Sequence, residues 1–189
     1  MRTLTEPQSL FRDIGASVIG IKKLKTAIIG IMRITVPKPV IICIGTPKVT
    51  GDSLGPRVGD ILIEEYGVDA YVYGRTSSPV TGLNCTKYFE HIRTHHAHSL
   101  VVAVDACLGK NADVGKIKYS LDGLRAGSAL GKLLGKFGDV GFLGVVAPKS
   151  ENNLGSLQNA ASVDVEILSR KIAKKIQNLI ENLRLTYKF

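Results

Sequence analysis

The chain has 189 residues, 44% of them hydrophobic, and a formal net charge of +9 at neutral pH, with a mean hydropathy of +0.14. That length suits one domain with a full core, and that balance excludes a disordered chain. No apolar run reaches the roughly 18 residues a membrane helix needs, since the best, residues 27–32, ends at Arg33 with Pro37 and Pro39 behind it.

Glu6, Asp13 and the group Lys22, Lys23 and Lys25 interrupt the N-terminal stretch. No secretory signal is therefore expected, and the protein is expected to be cytoplasmic. Residues 1–36 read as an arm, with Leu10, Ile14, Val18 and Ile21 at helical spacing. Its apolar stripe needs the outer face of the domain or a second subunit, so a homo-oligomer is one expectation. The remaining residues, 37–189, read as one α/β domain.

Strand and helix signals then alternate. An apolar run over residues 40–45 predicts the first strand, and a helix follows over 53–66, with Asp52 or Ser53 as cap and Pro56 in its first turn. A second strand is expected at 70–74, a helix at 82–95 and a third strand at 100–105. Such a succession predicts a three-layer α/β/α sandwich around a central, mainly parallel sheet. Beyond a glycine-dense region, residues 114–120 alternate Lys116 and Lys118 with Ile117 and Tyr119, as an exposed edge strand would. A short strand at 142–146 and a closing helix complete the order. In that helix Ala161, Val165, Leu168, Ile172, Ile176, Leu179 and Leu183 step by three and four.

In parallel sheets, ligands bind outside the carboxyl ends of the strands. Two acids map to that edge: Asp52, in the Gly-rich turn after the first strand, and Asp105, directly after an apolar run. Asp52 has an ordinary alternative as a helix cap, and Asp105 as an acceptor for loop amides. As a pair, the first ionises easily and holds back the second, which leaves an acid beside a base. Such a pair could activate water against a carbonyl, or hold a divalent metal ion that does so; no other cofactor is expected. The residues expected to contact substrate on the same edge are Thr46, Gly51, Ser53, Ser78 and Cys107.

Other constellations are weaker. Asp52 stands where a phosphate loop needs Lys. His91, His95, His96 and His98 precede the third strand, at the opposite edge from Asp105, so a catalytic metal is not expected on them. No His follows His98, which deprives a Ser or Cys nucleophile of its base. Cys43, Cys85 and Cys107 form no CxxC pair, and buried thiols are expected. The basic residues are dispersed, with few aromatics and no Trp. Attraction to acidic partners follows from the charge, without sequence-specific nucleic-acid reading or a membrane site.

The segments Cys43-Ile-Gly-Thr46, Gly51-Asp-Ser-Leu-Gly-Pro56, Pro79-Val80, Val104-Asp-Ala-Cys-Leu-Gly109-Lys110, Val114-Gly-Lys-Ile117 and Gly138-Asp-Val140 together resemble the YyaC family of sporulation proteins. That family is similar in turn to germination proteases and hydrogenase-maturation proteases. The resemblance implies a peptidase-like fold in a sporulation setting, with Asp52 and Asp105 at the positions of the active acids and a spore protein as substrate or partner. The downstream His that completes a nickel triad in maturation proteases has no counterpart here. Two readings are open: a peptidase using Asp52 and Asp105, or a sporulation factor that keeps the fold as a non-enzymatic protein-binding platform.

Overall fold

In the computed structural model, residues 36–125 and 136–187 are described. The helix expected around Leu10 to Ile21 lies outside them. In chain order the elements are β1 (Val40–Cys43), a 3-10 turn (Gly51–Ser53), α1 (Leu54–Glu64), β2 (Tyr71–Tyr73), α2 (Cys85–His95) and β3 (Val101–Gly109). A second 3-10 turn (Asn111–Asp113) leads to β4 (Ile117–Ser120), β5 (Leu124–Arg125), β6 (Lys136–Phe137), β7 (Val140–Pro148), α3 (Asn153–Gln158) and α4 (Ser162–Thr186).

The main sheet has the order β2-β1-β3-β7-β4. All its pairings are parallel except that of β4 with β7. The first and third strands are adjacent, with Cys43 opposite Val104. β1 is buried along its whole length, because both faces of the sheet are covered; this is why its sequence reads as an unbroken apolar run rather than an alternating one.

Alternation along the strands divides the core in two. Ile41, Cys43, Val102, Val104 and Phe142 face α1, α3 and α4 through Leu54, Ile61, Leu157, Leu168 and Ile172. Val40, Ile42, Ile44, Val101 and Ala103 face the other way, onto α2 and the β5–β6 ribbon through Phe89, Ile92 and Phe137. Phe137 docks the ribbon by stacking on Phe89 with ring centroids 4.0 Å apart. Each fully buried Leu or Ile side chain stabilises the fold by roughly 2 kcal/mol relative to exposure. Arg57 in the first turn of α1 forks onto Glu166 of α4 through bonds of 2.7 and 2.9 Å. Among the described residues, no helix is long and apolar enough to cross a membrane.

Three expectations need correction. The third strand does not end at Asp105 but runs on to Gly109, because β7 is long enough to pair with it as far as Pro148. The second helix starts at Cys85 rather than near Gly82. The Asn84 side chain accepts from the Thr81 N–H at 2.7 Å and donates to the Pro79 carbonyl at 3.1 Å, which holds residues 79–84 as a turn. Neither Asp52 nor Ser53 caps α1 through its side chain.

Candidate active site at the carboxyl edge

β1 gives way at its carboxyl end to a tightly folded loop. The Ile44 N–H donates to the Val104 carbonyl at 2.8 Å, and the Gly45 N–H donates to the Val80 carbonyl at 2.8 Å. The chain thus leaves the sheet wedged between β3 and the segment after β2. Gly45 has φ +143°, and a Cβ there would stand 2.0 Å from the Asp52 carbonyl oxygen and 3.1 Å from Pro56 Cδ. Only glycine permits this fold-back. Gly51 is buried beneath α3, where a Cβ would stand 2.9 Å from the Leu157 carbonyl oxygen and 3.0 Å from Val146.

The fold-back decides what Asp52 does. Its Oδ2 accepts the Thr46 N–H at 2.8 Å, six residues back along the chain. The carboxyl group is thereby held on the loop rather than on the amides of α1. Burial pushes its pKa above the ordinary carboxylate value, and the Thr46 N–H opposes part of that rise. The result is a carboxyl group fixed on the loop that holds its proton more tightly than an exposed aspartate does.

Asp105 stands one residue past Val104, the last β3 residue paired with β1, and is 4% exposed. Its Oδ1 accepts the N–H of Ala106 at 2.8 Å. Both acids therefore border the end of β1, joined through the Thr46 bond to Asp52 and the Ile44 bond to Val104. A buried acid beside backbone amides can serve as proton donor, proton acceptor or cation ligand.

The expected substrate-contacting residues fall into three situations. Thr46 and Gly51 shape the loop as described. The Ser53 hydroxyl donates to the Thr50 carbonyl at 2.6 Å, so it is spent on the turn. Ser78 is exposed beyond β2, and its N–H donates to the Arg75 carbonyl at 3.0 Å. Cys107 is buried two residues beyond Asp105, and burial above all, with Asp105 adding to it and Lys118 opposing, pushes its thiol up to about 11. It is protonated at neutral pH, which suits a lining residue and not a nucleophile. Burial likewise raises the Cys43 thiol.

Asp60 supports this edge without having been singled out in the sequence. Buried in α1, it accepts from Arg75 Nε at 3.2 Å and from the Thr76 N–H at 3.3 Å, fixing the start of the segment that carries Ser78. A carboxylate amid Val58, Ile61 and Leu62 was the available signal.

The histidines belong to the opposite edge. His91 and His95 stack with ring centroids 4.2 Å apart, and His96 Nε2 lies 2.8 Å from the Tyr73 hydroxyl. Among the described residues, no group of three or more His, Cys, Asp or Glu side chains could hold a metal ion. A cleft of about 390 Å³ also opens at this edge, lined in part by Arg93, His96, Asp122, Lys136 and Asp139. Its charges are largely committed to the fold: Asp139 Oδ2 accepts the Val101 N–H at 2.8 Å, and Lys136 pairs with Asp122. Size alone does not make it the reactive site.

Comparison with known proteins gives a family and a fold. The chain belongs to the family described as "Protein of unknown function (DUF1256)", whose model matches residues 18–175. That match begins inside the segment set apart above as an arm. The chain is 37% identical over 126 residues to "Uncharacterized protein YyaC" of Bacillus subtilis (strain 168). The match covers 66% of this chain and 62% of the relative, so it spans less than two thirds of that protein. Among solved structures, the [NiFe] hydrogenase maturation protease HycI from Thermococcus kodakarensis KOD1 aligns with a TM-score of 0.52 at 17% identity, over 76% of this chain and 92% of that one. Peptidyl-tRNA hydrolase from Acinetobacter baumannii aligns with a TM-score of 0.53 at 13% identity, over 81% and 94%. At those identities the likeness is one of fold: an α/β architecture around a mostly parallel five-stranded sheet.

Proposed function

We propose that this chain is a hydrolase that cleaves a peptide bond with the Asp52 and Asp105 pair. Asp105 takes a proton from water as the water oxygen adds to the carbonyl carbon. Asp52, whose proton is held more tightly than usual because of burial, gives it to the leaving nitrogen as the C–N bond breaks. Exchange with solvent then restores the starting protonation states. The observation that carries this reading is the Thr46 N–H bond to Asp52 Oδ2, which takes the carboxyl group off the helix and fixes it at the edge that Asp105 borders. Peptidase-type chemistry on the same fold in the maturation protease is consistent with it. The sporulation setting implied by the sequence motifs makes a spore protein the proposed substrate class.

The test is incubation of the purified protein with spore extract, followed by mass-spectrometric identification of new chain termini, beside an Asp105→Asn variant. Asn keeps the shape and an acceptor for the Ala106 N–H but cannot take the proton. The variant should fold normally and generate termini on the order of 10²-fold more slowly. Absence of new termini with the wild type, or equal cleavage by Asp105→Asn, refutes the reading and leaves the fold as a binding platform.

A further inference from the structure

The row of residues that crosses the sheet at Asp105 ends in an ammonium group. Asp105 stands opposite Leu143 of β7, and Leu143 opposite Lys118 of β4. All three are therefore in register on one face, with adjacent strands about 4.8 Å apart. The Lys118 side chain extends along the sheet towards Gly109: its Nζ lies 3.7 Å from the point a Cβ on Gly109 would occupy. Its charge also reaches the Cys107 thiol, between Asp105 and Gly109. Gly109 lies four residues beyond Asp105 on β3, which is about 13 Å at roughly 3.3 Å per strand residue.

The sheet is stepped here. β1 and β2 stop at Cys43 and Tyr73, while β3 continues to Gly109 and β7 to Pro148. The far end of the step is positively charged. Lys116, Lys118 and Lys110 all act on Asp113, Lys116 at 2.9 Å and Lys118 at 3.9 Å. One carboxylate thus faces three ammonium groups, and its close partner is Lys116. Lys149, which is exposed, joins the same place through its N–H bond of 2.8 Å to the Gly109 carbonyl. Lys118 is left half exposed, with its charge only partly offset.

We propose that this step is a docking surface for an extended acidic peptide segment, in which Lys118 holds a carboxylate about four residues from the bond presented at Asp105. Placement of the bond rests on the hydrolase reading; recognition of the acidic segment does not. A net charge of +9 favours an acidic occupant. A peptide is favoured over a nucleic acid because the neighbouring ring, Tyr119, lies on the opposite face, edge-on to Phe142 at 5.3 Å. It cannot stack bases beside Lys118.

The probe is a fluorescein-labelled peptide of about ten residues alternating Glu with Ala, compared by anisotropy at about 50 mM salt with the same peptide carrying Gln. The Glu peptide should bind about tenfold more tightly to the full chain. Lys118→Gln should remove about fivefold of that affinity and Lys118→Arg should keep it. The double substitution Lys171→Gln and Lys174→Gln, on α4, should change little. Equal binding of the two peptides, no loss in Lys118→Gln, or an equal loss in the α4 variant overturns the proposal. So does a poly-dT decamer that binds as tightly as the Glu peptide and depends on Lys118. Because the readout is binding, a chain that binds the Glu peptide but cuts nothing refutes the hydrolase reading alone.

Discussion

The two ends of the sheet both gather titratable side chains, and they spend them differently. At the amino end, His91 stacks on His95 and meets His96 and Tyr73 edge-on, His96 packs tilted against Tyr71, and Asp139 ties down the first amide of β3. These groups satisfy each other and hold the fold closed. At the carboxyl end, Asp52 and Asp105 are held by backbone N–H groups of a loop and a strand. An amide donor fixes a carboxyl group while leaving it able to exchange a proton. The histidine cluster is thus committed to the fold, whereas the two acids are each held by a backbone N–H beside the end of β1.

Backbone rigidity is where the two ends should differ most. Gly45→Ala places a Cβ 2.0 Å from the Asp52 carbonyl oxygen at φ +143°, so it should cost about 3 kcal/mol or more in a denaturant titration. Gly67, in the turn leading to β2 at the amino end, also has positive φ (+52°) but nothing within 4 Å of a Cβ. Gly67→Ala should cost only about 1 kcal/mol. Similar losses from the two substitutions would mean that the carboxyl-edge loop is not the rigid device described here.

The ends should also respond oppositely to pH. Burial raises the folded-state pKa of Asp52, so native protein binds its proton more tightly than unfolded protein does. The stability this provides is present below the ordinary carboxylate value of about 4 and is lost as pH rises through the raised pKa. His96 is shifted the other way, lowered first by burial and then by the charges of His91 and His95. Its contribution is present above the ordinary histidine value of about 6.5 and is lost as pH falls towards the depressed pKa. Melts across pH should show Asp52→Asn removing the first slope and His96→Gln the second. Interchange of those assignments would contradict the environments described for both groups.

The smallest effect expected is on activity at the amino end. His91→Gln combined with His95→Gln should leave cleavage within about twofold of wild type, because both rings lie on the edge away from Asp105. A loss on the order of 10²-fold, the size typical of removing a general acid or base, would move the chemistry to that edge.

Much of this was legible in the sequence, for physical reasons. β1 and β3 are buried on both faces, so their apolar runs stand out, and the positions of Asp52 and Asp105 at one edge follow. The true length of β7 was hidden at its two ends by Gly141 and Pro148, both of which weaken a strand signal. Gly141 is small because a Cβ there would stand 2.2 Å from Leu124. Asp105, Leu143 and Lys118 all fall inside the expected strands, but strand order and register depend on pairing between distant segments, so the row they form emerges only in the folded sheet. β5 and β6 have two residues each, too few for any periodicity. The bond from Thr46 to Asp52 escaped because the local string Asp52-Ser-Leu-Gly-Pro56 is a sound helix start, and only the Gly45 fold-back brings the amide round.

That bond sets the most direct measurement. Asn at position 52 can still accept the Thr46 N–H and is as good a helix cap as Asp, so Asp52→Asn preserves every structural role while removing the exchangeable proton. On any substrate the wild type cleaves, the two-carboxylate mechanism predicts a loss on the order of 10²-fold or more in rate, with an unchanged circular dichroism spectrum. Full activity in Asp52→Asn would contradict it.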